Sequence, residues 1–320
     1  MHRLFLLSLL IGCGDPKEGD DTGWDDEALI CIDTPDALNL AWPIEGLDAQ
    51  QWVISNYVDL DSGTDMEDYM SNTGEQAKTY DGHQGIDISI SSFRQMDEGI
   101  PVLAAVSGTV EYVIDGYEDR HTSCTDYDAN IVGVRHESGH LLHYVHLRTD
   151  SSTVQVGDWV EAGDILGEVG SSGCSDGPHL HFEITDPDGS PVEPFLEDMW
   201  CDPPLYDTPL GVMESWILDG PLVQYDNPMQ DPPEDATDFD VGDTLLAFVV
   251  VGGGLPDDEL GVQLSGPDGT TIGPWPVIFE QSYQLSFWYW AYTVESPAGD
   301  WTADYLVNGD IVTQHDFTVR

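Results

Sequence analysis

Two histidines, His179 and His181, stand two residues apart in a stretch where polar residues alternate with the apolar Leu180, Phe182 and Ile184. This alternation predicts a β-strand, in which successive side chains point to opposite faces. Both imidazoles then share one face, while the three apolar residues point into a core. Neutral imidazole is a preferred zinc ligand and also a general acid or base near neutral pH. The pair alone does not exclude ordinary surface or core histidines.

A second candidate pair, His83 and Asp87, lies upstream. In a helix, this spacing of four would put both side chains on one face, but Gly82, Gly85 and the alternation of residues 86–90 favour a strand entered from a turn. Asp87 then faces away from the isoleucines of that strand. One carboxylate and two imidazoles form a catalytic zinc set with a fourth position open for water. The alternative is an Asp87 that caps a turn and a His83 in solvent.

The third segment holds His140, His143 and His146. If it is a strand, His146 shares a face with Tyr144 and Leu142, and His143 lies on the other face. We select His146 as the second catalytic imidazole. His136, His140 and His143 are interpreted as turn, surface or partly buried residues.

Together and in this order, the three segments resemble the lysostaphin-type (LytM-type) zinc metallopeptidases that cut peptidoglycan cross-bridges. The resemblance covers about Trp42 to Phe195. The matching motifs are His83-x-Gly85-x-Asp87, a hairpin from Gly99 to Gly108, Tyr144-x-His146-Leu147, the segment from Val156 to Gly167, and Gly177-Pro-His-Leu-His-Phe-Glu183.

The resemblance implies that His83, Asp87 and His181 bind one zinc ion and that His146 and His179 complete the catalytic site. Zinc would activate a water molecule and polarise the scissile carbonyl, while the two histidines orient the water, stabilise the oxyanion and protonate the leaving amine. The expected function is a zinc endopeptidase that hydrolyses cross-links or stem peptides of peptidoglycan in cell-wall remodelling. The alternatives are a non-hydrolytic scaffold that binds the wall or activates another hydrolase, and a peptidase directed at foreign walls or proteins.

The N-terminus predicts export. Residues 1–13 contain one Arg and a short apolar run, which is typical of a secretory signal, and the end of the run resembles a lipobox with Cys13 as the lipidated residue. A plain signal peptide is the alternative. Residues 14–28 are acidic and are interpreted as a disordered tether. We therefore expect a lipoprotein anchored in the membrane through Cys13 and facing the periplasm or the cell exterior.

Four cysteines remain besides Cys13, and an exported protein meets oxidising conditions that favour disulfides. Three pairings are open. We favour Cys124 with Cys174, which would staple a loop beside the site, and Cys31 with Cys201, which would join the ends of the catalytic domain.

The chain is strongly acidic, with 8 Lys and Arg against 61 Asp and Glu and a formal net charge of −53. This balance excludes the basic surface of a nucleic-acid binder and disfavours docking on anionic lipids. Solubility in a salty or extracellular medium explains it most simply. Calcium binding by the acidic segment from Asp59 to Asp65 stays open.

The length of 320 residues suits two domains. We predict a mainly β protein: a compact antiparallel β-sheet metallopeptidase domain at 29–204, and an immunoglobulin-like β-sandwich at 205–320 with about seven strands. The run from Phe287 to Trp290 is interpreted as core and contact surface, with carbohydrate stacking as the alternative. We expect a monomer. The insertion from Trp52 to Tyr80, with the acids of residues 65–69, could shield the metal until a regulatory protein partner opens the groove.

Overall fold

The computed structural model describes residues 38–125, 127–295 and 297–320. The predicted signal segment 1–13, the tether 14–28 and the start of the peptidase domain at residue 29 lie outside the described residues. Among the described residues, no helix is long and apolar enough to span a membrane.

The regular secondary structure of the described chain is almost entirely β, as predicted. The peptidase half contains one short helix, α1 (Phe93–Glu98), and nine strands: β1 (Val53–Asn56), β2 (Ile86–Ser89), β3 (Pro101–Leu103), β4 (Gly108–Ile114), β5 (Ile131–Arg135), β6 (Leu141–Val145), β7 (Trp159–Val160), β8 (Ile165–Glu168) and β9 (His179–Thr185). The C-terminal half contains eight: β10 (Gly211–Asp219), β11 (Asp238–Phe239), β12 (Thr244–Gly252), β13 (Glu259–Ser265), β14 (Thr271–Ile278), β15 (Leu285–Thr293), β16 (Gly299–Val307) and β17 (Asp310–Val319).

A seven-stranded antiparallel sheet carries the peptidase half, in the order β1-β2-β9-β6-β5-β4-β7. In the central strands, polar and apolar residues alternate, so one face of each strand is apolar. Burial of these apolar faces in a common core favours the sheet. Ile86, Ile88, Leu180, Phe182 and Tyr144 are all buried in one hydrophobic cluster beneath it. The other face of β2 and β9 is left to carry polar side chains.

The segment from Gly99 to Gly108 is not a hairpin, which corrects the prediction. Strand β3 pairs with β8 in a separate two-stranded sheet, whereas β4 pairs with β5 and β7 in the large sheet. Residues 104–106 between the two strands are fully buried, so the chain passes through the core instead of turning at the surface.

Helix α1 follows β2 directly and is capped at its N-terminus by Ser92, whose hydroxyl accepts a hydrogen bond from the Gln95 N–H. Phe93 and Met96 are the buried residues of the helix and join the peptidase core. The opposite side of α1 is therefore available to the C-terminal half.

The C-terminal half consists of a three-stranded sheet (β10-β12-β15) and a five-stranded sheet (β11-β17-β16-β13-β14). Residues from both sheets, including Ile217, Val249, Val262 and Phe317, form one hydrophobic cluster, so the sheets pack face to face. This half has eight strands where about seven were predicted. Strand β14 contains Pro274 and Pro276 and lies at a sheet edge, where proline is tolerated.

The aromatic run from Phe287 to Trp290 lies on β15 and divides between the two faces of its sheet. Trp288 stacks on Phe279 inside the C-terminal core, with 5.4 Å between ring centroids. Tyr289 stacks on Phe248 and keeps 44% of its surface exposed. The run thus contributes to packing, in agreement with the first interpretation.

Candidate active site

Two adjacent strands place four polar residues on the outer face of the large sheet. Strands β2 and β9 pair so that Asp87 lies opposite His181 and Ser89 lies opposite His179. The apolar neighbours of these residues occupy the core, as the alternation predicts. Side chains directly opposite on one face are close enough to bond, and the His181 Nδ1 atom lies 2.9 Å from the Asp87 Oδ1 atom.

His83 reaches the same point from the turn before β2. Gly82 takes a φ of 77°, which glycine adopts without strain, and its N–H donates to the Asp59 carboxylate at 2.9 Å. The His83 Nε2 atom lies 3.1 Å from Asp87 Oδ1 and 3.2 Å from His181 Nδ1. Three ligand atoms therefore converge from two strands and one turn.

The three atoms fit a tetrahedral metal ion. Donor atoms at about 2.0–2.2 Å from a tetrahedral zinc ion lie roughly 3.4 Å from one another, and the observed separations need to change by only a few tenths of an ångström. Among the described residues, His83, Asp87 and His181 are the one group of His, Cys, Asp or Glu placed to hold a metal. The two nitrogens and one carboxylate oxygen suit zinc in their chemistry.

Each of the three residues has an outer polar partner. The His83 Nδ1–H donates to the Tyr57 carbonyl at 2.7 Å, which leaves the Nε2 lone pair for a metal. The Asn56 side-chain amide donates to the second carboxylate oxygen of Asp87 at 3.0 Å. Glu183 lies 3.6 Å from the His181 Nε2 atom. Such outer partners orient metal ligands before the metal binds.

His146 lies beside these residues, but not for the reason given by strand alternation. Tyr144 and Leu142 face the core, so a strand continued to His146 would bury its ring beneath the sheet. Strand β6 instead ends at Val145, and His146 takes a φ of 65°, which turns its side chain towards the site. Its ring centroid is 4.6 Å from that of His179 and 5.9 Å from that of His181.

His146 and His179 are oriented alike. The His146 Nδ1–H donates to the Ser172 carbonyl at 2.6 Å, and the His179 Nδ1–H donates to the Gly177 carbonyl at 2.8 Å. Because a carbonyl only accepts, Nδ1 carries the proton in both rings and Nε2 is left to act on a substrate. The His179 Nε2 atom lies 3.6 Å from Asp87 Oδ1, so it points at the three-residue group.

The site favours positive charge at its centre. Burial alone would raise the pKa of the Asp87 carboxyl, but the neighbouring histidines, His83 and His179 foremost, hold that pKa well below its ordinary value. Burial opposes the protonation of His181, yet its interactions with Asp87 and Glu183 raise its pKa to about 9. Burial lowers the pKa of His146 to about 3, and the nearby His179 and His181 add to the shift, so His146 is neutral at pH 7.

The remaining histidines of the third segment do not join this group. His136 and His140 both lie within hydrogen-bond distance of the Ser138 hydroxyl, at 2.7 and 2.8 Å. His143 contacts the hydroxyl of Tyr112 through Nδ1 and lies 3.3 Å from the Thr185 hydroxyl through Nε2. Their interpretation as turn or partly buried residues agrees with these positions.

Two residues near the site were missed in the sequence. Tyr80 stacks on His83 with 4.3 Å between ring centroids and remains 48% exposed, so it forms part of the rim. Burial raises its pKa, as do Asp87 and Asp176, which keeps the phenol protonated. Glu183, the outer partner of His181, stands within the quoted motif on the same strand face, and that spacing of two could have identified it.

A disulfide joins Cys124 to Cys174, as predicted, and staples the loop that precedes β9 to the segment after β4. The His121 Nδ1–H donates to the Gly173 carbonyl at 2.7 Å in the same region. The second predicted pair includes Cys31, which lies outside the described residues, so that pairing stays a prediction.

The acidic insertion is folded by its own carboxylates. Asp59 accepts backbone N–H bonds from Asp61 and Glu67 through Oδ1, and Asp61 accepts them from Gly63 and Asp65 through Oδ2. None of these acids belongs to the group of His83, Asp87 and His181 that could hold a metal in the described chain. Calcium binding and shielding of the metal by the insertion stay predictions.

Asp68, a further acid of the insertion, is fully buried and accepts a 2.5 Å bond from the Tyr206 hydroxyl. It therefore ties the insertion to the linker before β10 instead of reaching the site.

Residues 81–194 match the model of a protein family described as Peptidase family M23. This span includes all five residues of the site, namely His83, Asp87, His146, His179 and His181.

Several curated proteins are similar to about a third of the chain. The peptidoglycan DD-endopeptidase ShyC of Vibrio cholerae is 33% identical over 86 residues, which are 27% of this chain and 17% of that protein. Lysostaphin of Staphylococcus staphylolyticus is 36% identical over 102 residues, which are 32% of this chain and 18% of that protein. The chain thus spans less than a quarter of the length of these relatives. Among solved structures, the catalytic domain of lysostaphin from Staphylococcus simulans matches with a TM-score of 0.28 and 26% identity, over 44% of this chain and 89% of that one.

Proposed function

From the premise that residues 81–194 form a peptidase family M23 domain, we propose that this chain is a zinc-dependent endopeptidase that hydrolyses peptide bonds of peptidoglycan. The observation that carries the proposal is the convergence of His83, Asp87 and His181 on one point, with the free Nε2 atom of His179 aimed at it. The names of the relatives, a peptidoglycan DD-endopeptidase and lysostaphin, support the substrate class.

One zinc ion would be held by His83 Nε2, Asp87 Oδ1 and His181 Nδ1. When bound, zinc supplies a Lewis acid for the scissile carbonyl and lowers the pKa of a water molecule. The hydrogen bonds to Tyr57 and Asn56 keep the His83 and Asp87 ligands in place before binding.

His179 and His146 perform the proton chemistry in this proposal. Their Nδ1 protons are held by backbone carbonyls, so each Nε2 atom can accept a proton from the attacking water or return one to the leaving amine. Because His146 is neutral at pH 7, its Nε2 can accept a proton without first losing one. The exposed Tyr80 phenol at the rim is placed to contact the substrate.

The chain is proposed to act outside the cytoplasm, attached to the membrane through a lipid on Cys13. The support is the sequence of residues 1–13 and the cell-wall substrates named for the relatives. The expected β-sandwich after residue 205 agrees with the two packed sheets, and its immunoglobulin-like character and the boundary at residue 204 stay proposals.

The test is a digest of purified peptidoglycan by the purified chain, with and without a zinc chelator, read by mass spectrometry. New stem-peptide termini that disappear with chelator and return with added zinc are expected, and they identify the bond. His181→Ala should lose both metal and cleavage, whereas His179→Ala should keep the metal and lose cleavage. His140→Ala is the matched control, because His140 bonds to Ser138 and lies outside the group. Intact peptidoglycan despite one zinc per chain would contradict hydrolysis and favour a wall-binding scaffold.

A further inference from the structure

The C-terminal half is anchored on helix α1 through the segment that connects β10 to β11 (residues 220–237, here the connecting segment). The Phe93 N–H donates to the Gln230 carbonyl at 2.7 Å. The Arg94 guanidinium contacts the Pro233 carbonyl and pairs with Glu214 at 3.3 Å. The bonds to Gln230 and Pro233 hold the connecting segment against helix α1, and the pair with Glu214 holds strand β10 there. Helix α1 directly follows strand β2.

From this position, the side chain of Gln230 reaches the loop that leads into β9. Its Nε2–H donates to the Asp176 carbonyl at 2.7 Å. Its Oε1 accepts from the Asn227 amide at 2.8 Å, which fixes the orientation of the Gln230 amide. A Cβ on Gly177 would lie 3.0 Å from Gln230 Nε2, so the loop is packed directly against this side chain.

The loop held by Gln230 is the one that orients His179. The Asp176 carbonyl belongs to the peptide unit that joins it to Gly177, and the Gly177 carbonyl accepts the Nδ1–H of His179 at 2.8 Å. The Ser175 hydroxyl donates to the same Gly177 carbonyl, also at 2.8 Å. The Gly177 carbonyl, which accepts the His179 N–H, directly follows the peptide group that Gln230 bonds. A tilt of that peptide group would move the carbonyl and turn the His179 ring.

A second contact reinforces the first. Arg120 pairs with Asp231 of the connecting segment at 2.9 Å and with Asp97 of helix α1 at 2.8 Å, and its guanidinium lies 4.6 Å above the Phe93 ring. The backbone at Arg120 forms a β-bridge with Ser171, four residues before Ser175. The connecting segment therefore holds this loop directly at Asp176 and, through Arg120, at Ser171.

We propose that Gln230 is a positioning residue for His179. Through it, the C-terminal half helps to set the geometry of the active site instead of being a separate targeting module. The inference rests on the proposed function of the site, since it assigns a role to His179. It predicts that changes in the connecting segment alter turnover without altering the metal ligands.

The experiment compares Gln230→Ala and Gln230→Glu with Gln224→Ala in the full chain. Gln224 lies in the same segment, and its Nε2–H also donates to a backbone carbonyl, that of Asp219 at 2.9 Å. Gln230→Ala removes the hydrogen bond to the Asp176 carbonyl, and we expect kcat to fall roughly threefold to tenfold. Gln230→Glu keeps the shape but places a carboxylate oxygen against the Asp176 carbonyl, so its kcat should fall at least as far. KM, zinc content and Tm should match those of Gln224→Ala.

Hydrogen–deuterium exchange of residues 175–179 gives a readout that does not depend on activity. It should accelerate in both Gln230 variants and stay unchanged in Gln224→Ala. Unchanged exchange and kcat would overturn the inference, and so would exchange raised throughout the chain with a lower Tm, which would indicate a purely structural role. If the wild-type chain cleaves no peptidoglycan, the proposed function fails, while the exchange comparison still decides whether Gln230 holds the loop.

Discussion

Replacing Gly85 by Ala should disable the proposed metal centre without replacing any of its ligands. A Cβ at this position would lie 2.7 Å from the His181 Nε2 atom, 2.8 Å from its Cε1 atom and 2.7 Å from the backbone oxygen of Phe182. Ordinary contact requires at least 3.4 Å, so the His181 ring must recede by about 0.6–0.7 Å. The Phe182 backbone oxygen is held in the sheet and cannot yield in the same way.

Metal sites tolerate changes in ligand distance of only about 0.2 Å. A displacement of His181 larger than this should weaken zinc binding by roughly 10- to 100-fold, as loss of an outer ligand-orienting contact does. Zinc affinity is measured by competition with a chromophoric chelator, and cleavage is followed in parallel at saturating zinc.

Gly82→Ala is the matched control. Gly82 precedes His83 directly and has a φ of 77°, but a Cβ there meets nothing within 4 Å. This variant should lose about 1 kcal/mol of stability from the left-handed backbone and keep its zinc affinity. Wild-type zinc affinity in Gly85→Ala, or equal losses in both variants, would refute the packing of His181 against residue 85.

Three further predictions concern stability. Burial raises the pKa of Glu193 to about 7, so its stabilising contribution is complete below about pH 4.5 and is lost as the pH rises through 7. From pH 4.5 to pH 8, the wild type should therefore lose about 3 kcal/mol of unfolding free energy relative to Glu193→Gln, measured by urea titration. A difference that stays constant with pH would contradict the raised pKa of Glu193. Tyr206→Phe removes the hydroxyl that donates to buried Asp68 and should cost about 1–3 kcal/mol at pH 7, whereas a neutral effect would show that Asp68 finds another donor. Replacing Cys124 and Cys174 by Ser should cost about 2–4 kcal/mol, and an unchanged urea midpoint would contradict a stapling role for this bond.

The strands of the site could be predicted because their alternation is local. The side chains of β9 and β2 follow the period of two, and this alone placed His179 with His181 and turned Asp87 away from the isoleucines. The family resemblance added the order of the segments. The match of residues 81–194 to the model of peptidase family M23 confirms the resemblance.

Local rules failed where the backbone leaves a regular conformation. His146 reaches the site through a positive φ, which no alternation indicates for a non-glycine residue. Strand β14 contains two prolines, which weaken its strand signal, and the edge position that tolerates them depends on the whole sheet.

Contacts between distant parts of the chain were equally invisible. Gln230 bonds to Asp176 across 54 residues, and nothing in residues 220–237 indicates that they pack against the loop that leads into His179. The buried pairing of Tyr206 with Asp68 spans 138 residues in the same way. Such contacts arise from the packing of the two halves and not from any local preference.

The most direct test of the proposed metal centre is a crystal structure of the purified chain with anomalous scattering data collected at the zinc edge. One peak is expected at about 2.0–2.2 Å from His83 Nε2, Asp87 Oδ1 and His181 Nδ1, with the Nε2 atoms of His146 and His179 facing its open side. A peak at other residues, or no peak after zinc is supplied at neutral pH, would contradict the assignment of this site as the centre of a metallopeptidase.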